Sequence, residues 1–364
     1  MPTVPAGGLV LITGANGYIG GVVIQKFLEA GYRVRGTVRD PSKNQWMLPL
    51  YGPKFELVAV PDMYADGAFD AAVKGVDGVA HIASAVVFQP DPAVVIPPYI
   101  TSAVNILKSA AKEPSVKSVS YTSSQATMLD AAAIHTASPY SIGPDSWWED
   151  AKRAWTEPPS SDFPRMLLNY ACGKLEAEQA CWKWVKDNKP HFTFNTIVPN
   201  INWGPTASPE NTGYGSSSGL QKLLWNGSAL PVSMIPPEWW IDTEDNGVLQ
   251  IAALTLPGVE NERILAIADK FCYNDVLAIF KKYAPEKKFL DKVEEKPDVG
   301  TVDLARAKEL MRMMGKEFNT LDETIRKFVV QMLDIEKRGV VLPETEADRM
   351  AKMTEEAAAQ AAQG

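Results

Sequence analysis

The stretch Val10-Leu11-Ile12-Thr13-Gly14-Ala15-Asn16-Gly17-Tyr18-Ile19-Gly20 decides the fold. An apolar run, Leu9 to Thr13, reads as a buried strand, and a helical pattern near Gly20 to Ala30 follows the glycines. The glycine spacing is G-x-x-G-x-x-G, one residue wider at the first gap than the usual G-x-G-x-x-G. Glycines here let the backbone turn tightly and approach a pyrophosphate with no Cβ in the way. The helix N-terminus then offers free N–H groups and a partial positive charge. A plain glycine-rich turn is the alternative. The strand before it and the helix after it favour a dinucleotide loop made of Gly14, Asn16, Gly17, Tyr18, Ile19 and Gly20.

Outward from this loop, strand and helix patterns alternate. Strands are expected at Arg33–Val38, Glu56–Val60, Val79–Ile82 and Val116–Tyr121, with helices at Phe69–Lys74 and Thr101–Lys112. That order implies an α/β fold, a doubly wound parallel Rossmann sheet. Residues 130–165 are rich in Pro, Ser and Trp and read as a surface excursion with a short helix near Trp147–Trp155. A long helical pattern, Arg165–Lys189, leads to a strand, Phe192–Ile197, ended by Pro199. Residues 1–200 are thus expected to form the dinucleotide-binding domain. Residues 201–343 are expected to form mainly a smaller C-terminal substrate lobe, some segments returning to the first domain. The Ala/Glu-rich tail, 344–364, is expected to be a frayed or solvated helix.

The chain has 364 residues, 46% of them hydrophobic and 22% charged, enough for a sizeable core. Its net charge of −8 is a poor fit to nucleic acid or to an anionic membrane surface, both of which need a basic footprint. The uncharged run Pro2–Gln25 has no basic residues before it and is broken by glycines, and Val79–Gln89 runs into Pro90. Neither is expected to be a signal sequence or a membrane span. Cys172, Cys181, Cys272, His81, His135 and His191 show no metal-ligand spacing, so no metal is expected and a reduced, soluble, cytoplasmic protein is.

The second strand selects the dinucleotide. An NAD site usually has an acid at its end, for the ribose 2′-OH. Arg33 to Arg39 contains none, and Arg35, Arg39 and Lys43 are basic. Arg39 and Lys43 flank the turn Asp40-Pro41-Ser42 and are expected to clamp a 2′-phosphate from two sides, which points to NADPH/NADP+. A solvated basic loop is the alternative.

Tyr170-Ala171-Cys172-Gly173-Lys174 places Tyr170 and Lys174 one turn apart on one helix face. A free phenol, with a pKa of about 10, is a poor proton donor at neutral pH. A neighbouring ammonium favours the phenolate, and a shift to about 7 asks for ~4 kcal/mol. Ser120-Tyr121-Thr122-Ser123-Ser124 ends the fifth strand, on the side where open α/β sheets bind ligands. A serine there suits a substrate carbonyl oxygen. It is also a common cap or turn residue.

In that order the motifs resemble the extended, atypical short-chain dehydrogenase/reductases. Within them the chain is most similar to the fungal NADPH-dependent aldehyde and ketone reductases related to dihydroflavonol reductase. The resembling residues are T-G-A-N-G-Y-I-G (13–20), G-Y-R-V-R-G-T-V-R (31–39), G-V-A-H-I-A-S (78–84), Y-T-S-S (121–124), Y-A-C-G-K (170–174), K-P-H-F-T-F-N-T-I-V-P-N (189–200) and W-N-G (225–227). The resemblance implies reduction of small-molecule aldehydes or ketones by NADPH, with Ser124, Tyr170 and Lys174 as the catalytic set. It implies Arg39 and Lys43 on the 2′-phosphate, Asp62 and Met63 near the adenine, Ala83 along the cofactor, and Pro199 at the nicotinamide. Two departures stand out. Ser102-Ala103 replaces a usual Gly-Thr pair, and Tyr99 or Ile100 falls where many short-chain enzymes use an Asn, so no catalytic Asn is assigned. A nucleotide-sugar epimerase or dehydratase on the same fold, and a non-catalytic NADPH sensor, are the alternative functions. The helix pattern does not force a four-helix seam, so a monomer is expected, a homodimer being the other option.

Weaker signals remain. Trp203, Trp225, Trp239 and Trp240 suit an apolar pocket or, more simply, a core. Ser216-Ser217-Ser218-Gly219 reads as a flexible substrate-side loop or a linker. Cys172, inside the Tyr–Lys motif, is expected to inhibit when alkylated.

Overall fold

The computed structural model describes residues 3–84, 89–130, 134 and 138–361, so His135 lies outside the described residues. Among the described residues twelve strands run in chain order: β1 (Leu9–Ile12), β2 (Arg33–Val38), β3 (Phe55–Ala59), β4 (Gly78–His81), β5 (Ser118–Thr122), β6 (Ser141–Ile142), β7 (Thr193–Pro199), β8 (Ile201–Trp203), β9 (Trp239–Asp242), β10 (Arg263–Ala266), β11 (Asp269–Lys270) and β12 (Thr301–Val302). Seven of them form the central sheet, in the order β10-β7-β5-β4-β1-β2-β3, and every pair is parallel. This is the doubly wound Rossmann arrangement. β1, β4, β5 and β7 are buried along their whole length, as a parallel sheet covered on both faces requires.

The strand order reverses between β1 and β4, which opens a crevice at their carboxyl ends. On one face the helices Pro92–Lys112 and Phe163–Asn188 lie side by side. They approach closely because Gly173 has no Cβ; one there would stand 2.8 Å from the Tyr99 ring. On the other face, Tyr18–Glu29 packs against Thr243–Thr255, whose Ile251 and Leu254 share a core with Val23, Ile24 and Phe27. Within the C-terminal half, β10 is therefore an edge strand of the main sheet. Trp203, Trp225, Trp240, Phe271, Phe280 and Phe328 form a separate aromatic core.

Several expectations are corrected. Phe69–Lys74 is a chain of hydrogen-bonded turns, with Asp70 N donating to Gly67 O at 2.9 Å and Val73 N to Phe69 O at 2.9 Å. Gly67 and Gly75, both at positive φ, end it on each side before a helix can propagate. The next helix starts at Pro92, nine residues before Thr101. Asp91 caps it by accepting from Ala93 N, and Pro92 fits the first turn, where no N–H is needed. Glu149–Trp155 is a 3-10 helix. The tail forms a helix, Glu346–Ala361, whose first turns are docked: Lys222 Nζ donates to Asp348 at 2.7 Å and Ala351 is buried. Small residues allow this contact, since a Cβ on Gly219 would crowd Ala347. No helix among the described residues is long and apolar enough to cross a membrane.

Candidate active site

A cavity of about 1200 Å³ opens at the carboxyl ends of β1, β2, β4, β5 and β7. Its floor is the glycine loop. Gly14 has φ +68°, which an L side chain rarely adopts, and a Cβ on it would stand 3.1 Å from Ala83 Cα. A Cβ on Gly20 would overlap the Gly14 carbonyl oxygen. The loop is thus a cradle that side chains would fill, and it fits a pyrophosphate. Gly14, Asn16, Gly17, Tyr18, Ile19, Gly20 and Ala83 all line it. The Tyr18 hydroxyl faces away, donating to Gly204 O at 3.2 Å and accepting from Thr243 Oγ1 at 2.7 Å, so it ties the loop to the C-terminal half.

Thr13, which the sequence alone did not single out, ties the end of β1 to the end of β4 beside this crevice. Its hydroxyl accepts from Ile82 N at 3.0 Å and Ala83 N at 2.9 Å, leaving its proton for His81 Nδ1 at 2.9 Å. Burial, then the nearby Lys174 charge, pushes His81 down to about 3, so it stays neutral and structural.

Beyond the ends of β2 and β3, Arg39, Asp62 and Met63 line the cavity, and Asp62 accepts from Tyr64 N at 2.8 Å. Arg39 is exposed and makes no ion pair among the described residues, so its guanidinium is available to a phosphate. Lys43 differs from its expected place: it is 82% exposed, 4.0 Å from Asp40, and outside the cavity lining. Asp40 accepts from Ser42 N and Ser42 Oγ, at 2.9 and 2.6 Å, and Lys43 follows this tight turn with its side chain in solvent. Arg35 is engaged by the fold, donating to Glu56 and to the Ala72 and Lys74 carbonyls.

The reactive constellation lies at the β5 end. Ser124 is extended, at φ −160°, and caps the 3-10 turn Gln125–Thr127 by accepting from Ala126 N at 3.2 Å. Its hydroxyl also hydrogen-bonds the Tyr170 phenol. Burial raises Tyr170 above its ordinary value and the Ser124 bond lowers it part of the way. The expected lowering by Lys174 is not the governing influence here. Lys174 Nζ instead donates to Thr122 O at 2.9 Å and Ser84 Oγ at 3.4 Å, and burial brings it down to about 8. Ser124, Tyr170, Lys174 and Pro199 all face the cavity that the glycine loop floors.

Two turns beyond Tyr170, Glu178 is fully buried. It accepts from Ser123 Oγ at 2.5 Å, Thr196 Oγ1 at 2.8 Å and Arg263 Nε at 2.8 Å. This anchor beneath Ser124 was not foreseen. The signal was the i, i+4, i+8 series Tyr170, Lys174, Glu178; its partner Arg263 had none.

The far end of the cavity is largely apolar, with Leu129, Trp148, Leu167, Leu168, Met234 and Ile235. Ser216 and Ser217 reach it as the start of the helix Ser217–Trp225, fixed by Ser217 Oγ donating to Asn202 O at 2.6 Å, and form no flexible loop. Trp203, Trp225, Trp239 and Trp240 are core residues outside the lining. Cys172 is also outside it, buried among Leu168, Leu175 and Ile96, so the expected alkylation has no access from the cavity.

Residues 10–214 match the NAD dependent epimerase/dehydratase family. The chain is 38% identical over 338 residues to aldehyde reductase 2 of Sporidiobolus salmonicolor, covering 89% of this chain and 96% of that protein. It is 36% identical over 323 residues to ketoreductase adrE of Penicillium rubens, covering 85% and 91%. Among solved structures, yeast methylglyoxal/isovaleraldehyde reductase Gre2, complexed with NADPH, superposes with a TM-score of 0.77 at 25% identity, over 91% of this chain and 99% of that one.

Proposed function

The chain belongs to the NAD dependent epimerase/dehydratase family, and from that premise we propose that it is an NADPH-dependent carbonyl reductase that converts aldehydes and ketones to alcohols. The observation that carries the catalytic assignment is the hydrogen-bonded pair Ser124–Tyr170, with Lys174 one turn on, in the cavity that the glycine loop floors. The glycine loop would hold the pyrophosphate, Arg39 the 2′-phosphate, Asp62 and Met63 the adenine, Lys174 the nicotinamide ribose, and Pro199 the nicotinamide. When bound, NADPH supplies the hydride.

Ser124 and Tyr170 present two hydroxyls to one substrate oxygen. Ser124 orients that oxygen, and Tyr170 delivers the proton that turns it into a hydroxyl. Lys174, fixed by Thr122 O, keeps a positive field beside the phenol and favours its ionised form after the proton leaves. Burial shields the Lys174 ammonium from water, while Ser124 and Tyr170 stay open to the cavity. The apolar far wall accommodates an alkyl or aryl group and leaves the carbonyl as the polar end.

A nucleotide-sugar substrate fits less well. The arginine at the far end, Arg153, is already paired with Asp130, Asp150 and Glu157, at 3.6, 2.8 and 3.2 Å, and has little left for a diphosphate. Loss of NADPH absorbance with a panel of aldehydes and ketones tests the assignment. Tight NADPH binding without turnover on any carbonyl would establish a sensor instead.

A further inference from the structure

We propose that Glu238 is a specificity-determining residue that holds a protonated primary amine on the carbonyl substrate. The proposal rests on the carbonyl-reductase reading and names a substrate class within it. Glu238 follows Pro236-Pro237, immediately before β9, and lines the cavity beside Asn200, Met234 and Ile235. It is 7% exposed. Its Oε2 accepts from Asn200 Nδ2 at 3.2 Å, and its Oε1 has no hydrogen-bond partner among the described residues. No lysine or arginine among the described residues pairs with it.

The charges around it do not compensate. Asp298, fully buried, faces it and accepts from the Tyr140 hydroxyl at 2.5 Å and from Gly300 N at 2.6 Å. Lys270 is engaged by Asp298, with Nζ 3.7 Å from its Oδ1 and donating to its backbone carbonyl at 3.0 Å. The Tyr140 and Tyr273 phenols also face Glu238, and burial holds both in the neutral form. Glu295 accepts from Tyr273 N and Asn274 N. Burial first, then the Asp298 charge, pushes the Glu238 carboxyl up to about 8.

A glutamine here would accept and donate hydrogen bonds without a charge to desolvate. What the carboxyl adds is a charge it can take on by losing its proton, and a cation in the cavity would stabilise that ionised form. The described residues supply no cation to it, and the cavity side of Oε1 is where a ligand ammonium would donate. The local field, with Asp298 behind Glu238, favours a cation over a neutral polar group.

The test compares acetophenones bearing an aminomethyl or aminoethyl group, at the meta or para position, with ethyl or propyl analogues of the same shape. In the wild-type enzyme with NADPH, kcat/KM should favour one ammonium ketone by ten-fold or more at pH 8. Below about pH 8 Glu238 holds a proton that the ammonium must displace, so the preference should shrink toward pH 6, at most ten-fold per unit. In E238Q the ratio should fall to about one and lose its pH dependence. Preference for the uncharged ketones at every position and pH, or an ammonium preference that survives in E238Q, overturns the proposal. The wild-type pH profile decides even if E238Q does not fold. Should no carbonyl be reduced at all, the reductase reading fails. Calorimetric binding of the ammonium ketones, set against their alkyl analogues, then still decides the role of Glu238.

Discussion

Arg263, on the edge strand of the main sheet, reaches the buried carboxylate of Glu178 at 2.8 Å, on the helix that carries Tyr170 and Lys174. The Trp147 ring lies 3.7 Å from the guanidinium, which also donates to the Pro144 and Ser146 carbonyls. The pair therefore joins the β10 edge, the surface excursion and the Tyr170 helix at one point, under the strand end that presents Ser124.

Glu178→Gln should leave the Arg263 charge buried without its counter-charge. Breaking such a pair costs about 3–5 kcal/mol, and the two carbonyl acceptors that remain on Arg263 place the expected loss at the lower end. The urea unfolding midpoint should fall accordingly. Below that midpoint, kcat should drop by up to about 10²-fold through misplacement of Ser124. The NADPH Kd should hold, because the glycine loop is remote from this pair. An unchanged kcat in the folded variant would restrict Glu178 to a structural role.

Tyr170→Phe keeps the ring, which packs edge-on against Tyr99 with centroids 6.0 Å apart, and removes the hydroxyl bonded to Ser124. General acid catalysis is worth about 10²–10⁴-fold, so kcat should fall by at least ~10² with NADPH affinity retained. Lys174→Ala should lower kcat and weaken NADPH binding together, since its ammonium serves both. Near-normal turnover by a folded Tyr170→Phe would place the proton donor elsewhere.

Arg39→Ala should raise the KM for NADPH about ten-fold or more and leave that for NADH nearly unchanged, because a charge-assisted bond contributes about 1.5–3 kcal/mol. Lys43→Ala should do far less, as its side chain stands outside the cavity. Steady-state kinetics with both cofactors separates the two. Equal losses for NADPH and NADH in Arg39→Ala would show that Arg39 supports the loop and does not read the phosphate.

Gly20→Ala adds one methyl group against the Gly14 carbonyl oxygen, a backbone atom that has no rotamer to escape into. The turn must open, so NADPH fluorescence titration should show at least a ten-fold weaker Kd while the helix Tyr18–Glu29 persists by circular dichroism. Binding at wild-type strength would mean that the loop yields more easily than its packing against Ala83 suggests.

By itself, the sequence determined six of the seven strands of the parallel sheet, because short runs of strand-forming residues alternate there with helical periods and local pattern is what periodicity reports, whereas β10 was not among them. It also determined the glycine turn and the Tyr170–Lys174 face, since both depend on spacing within one element. The tertiary structure alone decided what joins elements far apart in the chain. Lys43 carries the right charge, but its side chain stands in solvent outside the cavity lining. Trp203 and Trp225 are aromatic enough for a pocket, but Phe271, Phe280 and Phe328 take them into a core. Glu178 meets Arg263, 85 residues later, only because β7 pairs with β10 and brings that edge under the Tyr170 helix. Glu238 gained its place in the cavity in the same way, through the turn before β9 and the position of Asn200 after β7, contacts that no local pattern encodes.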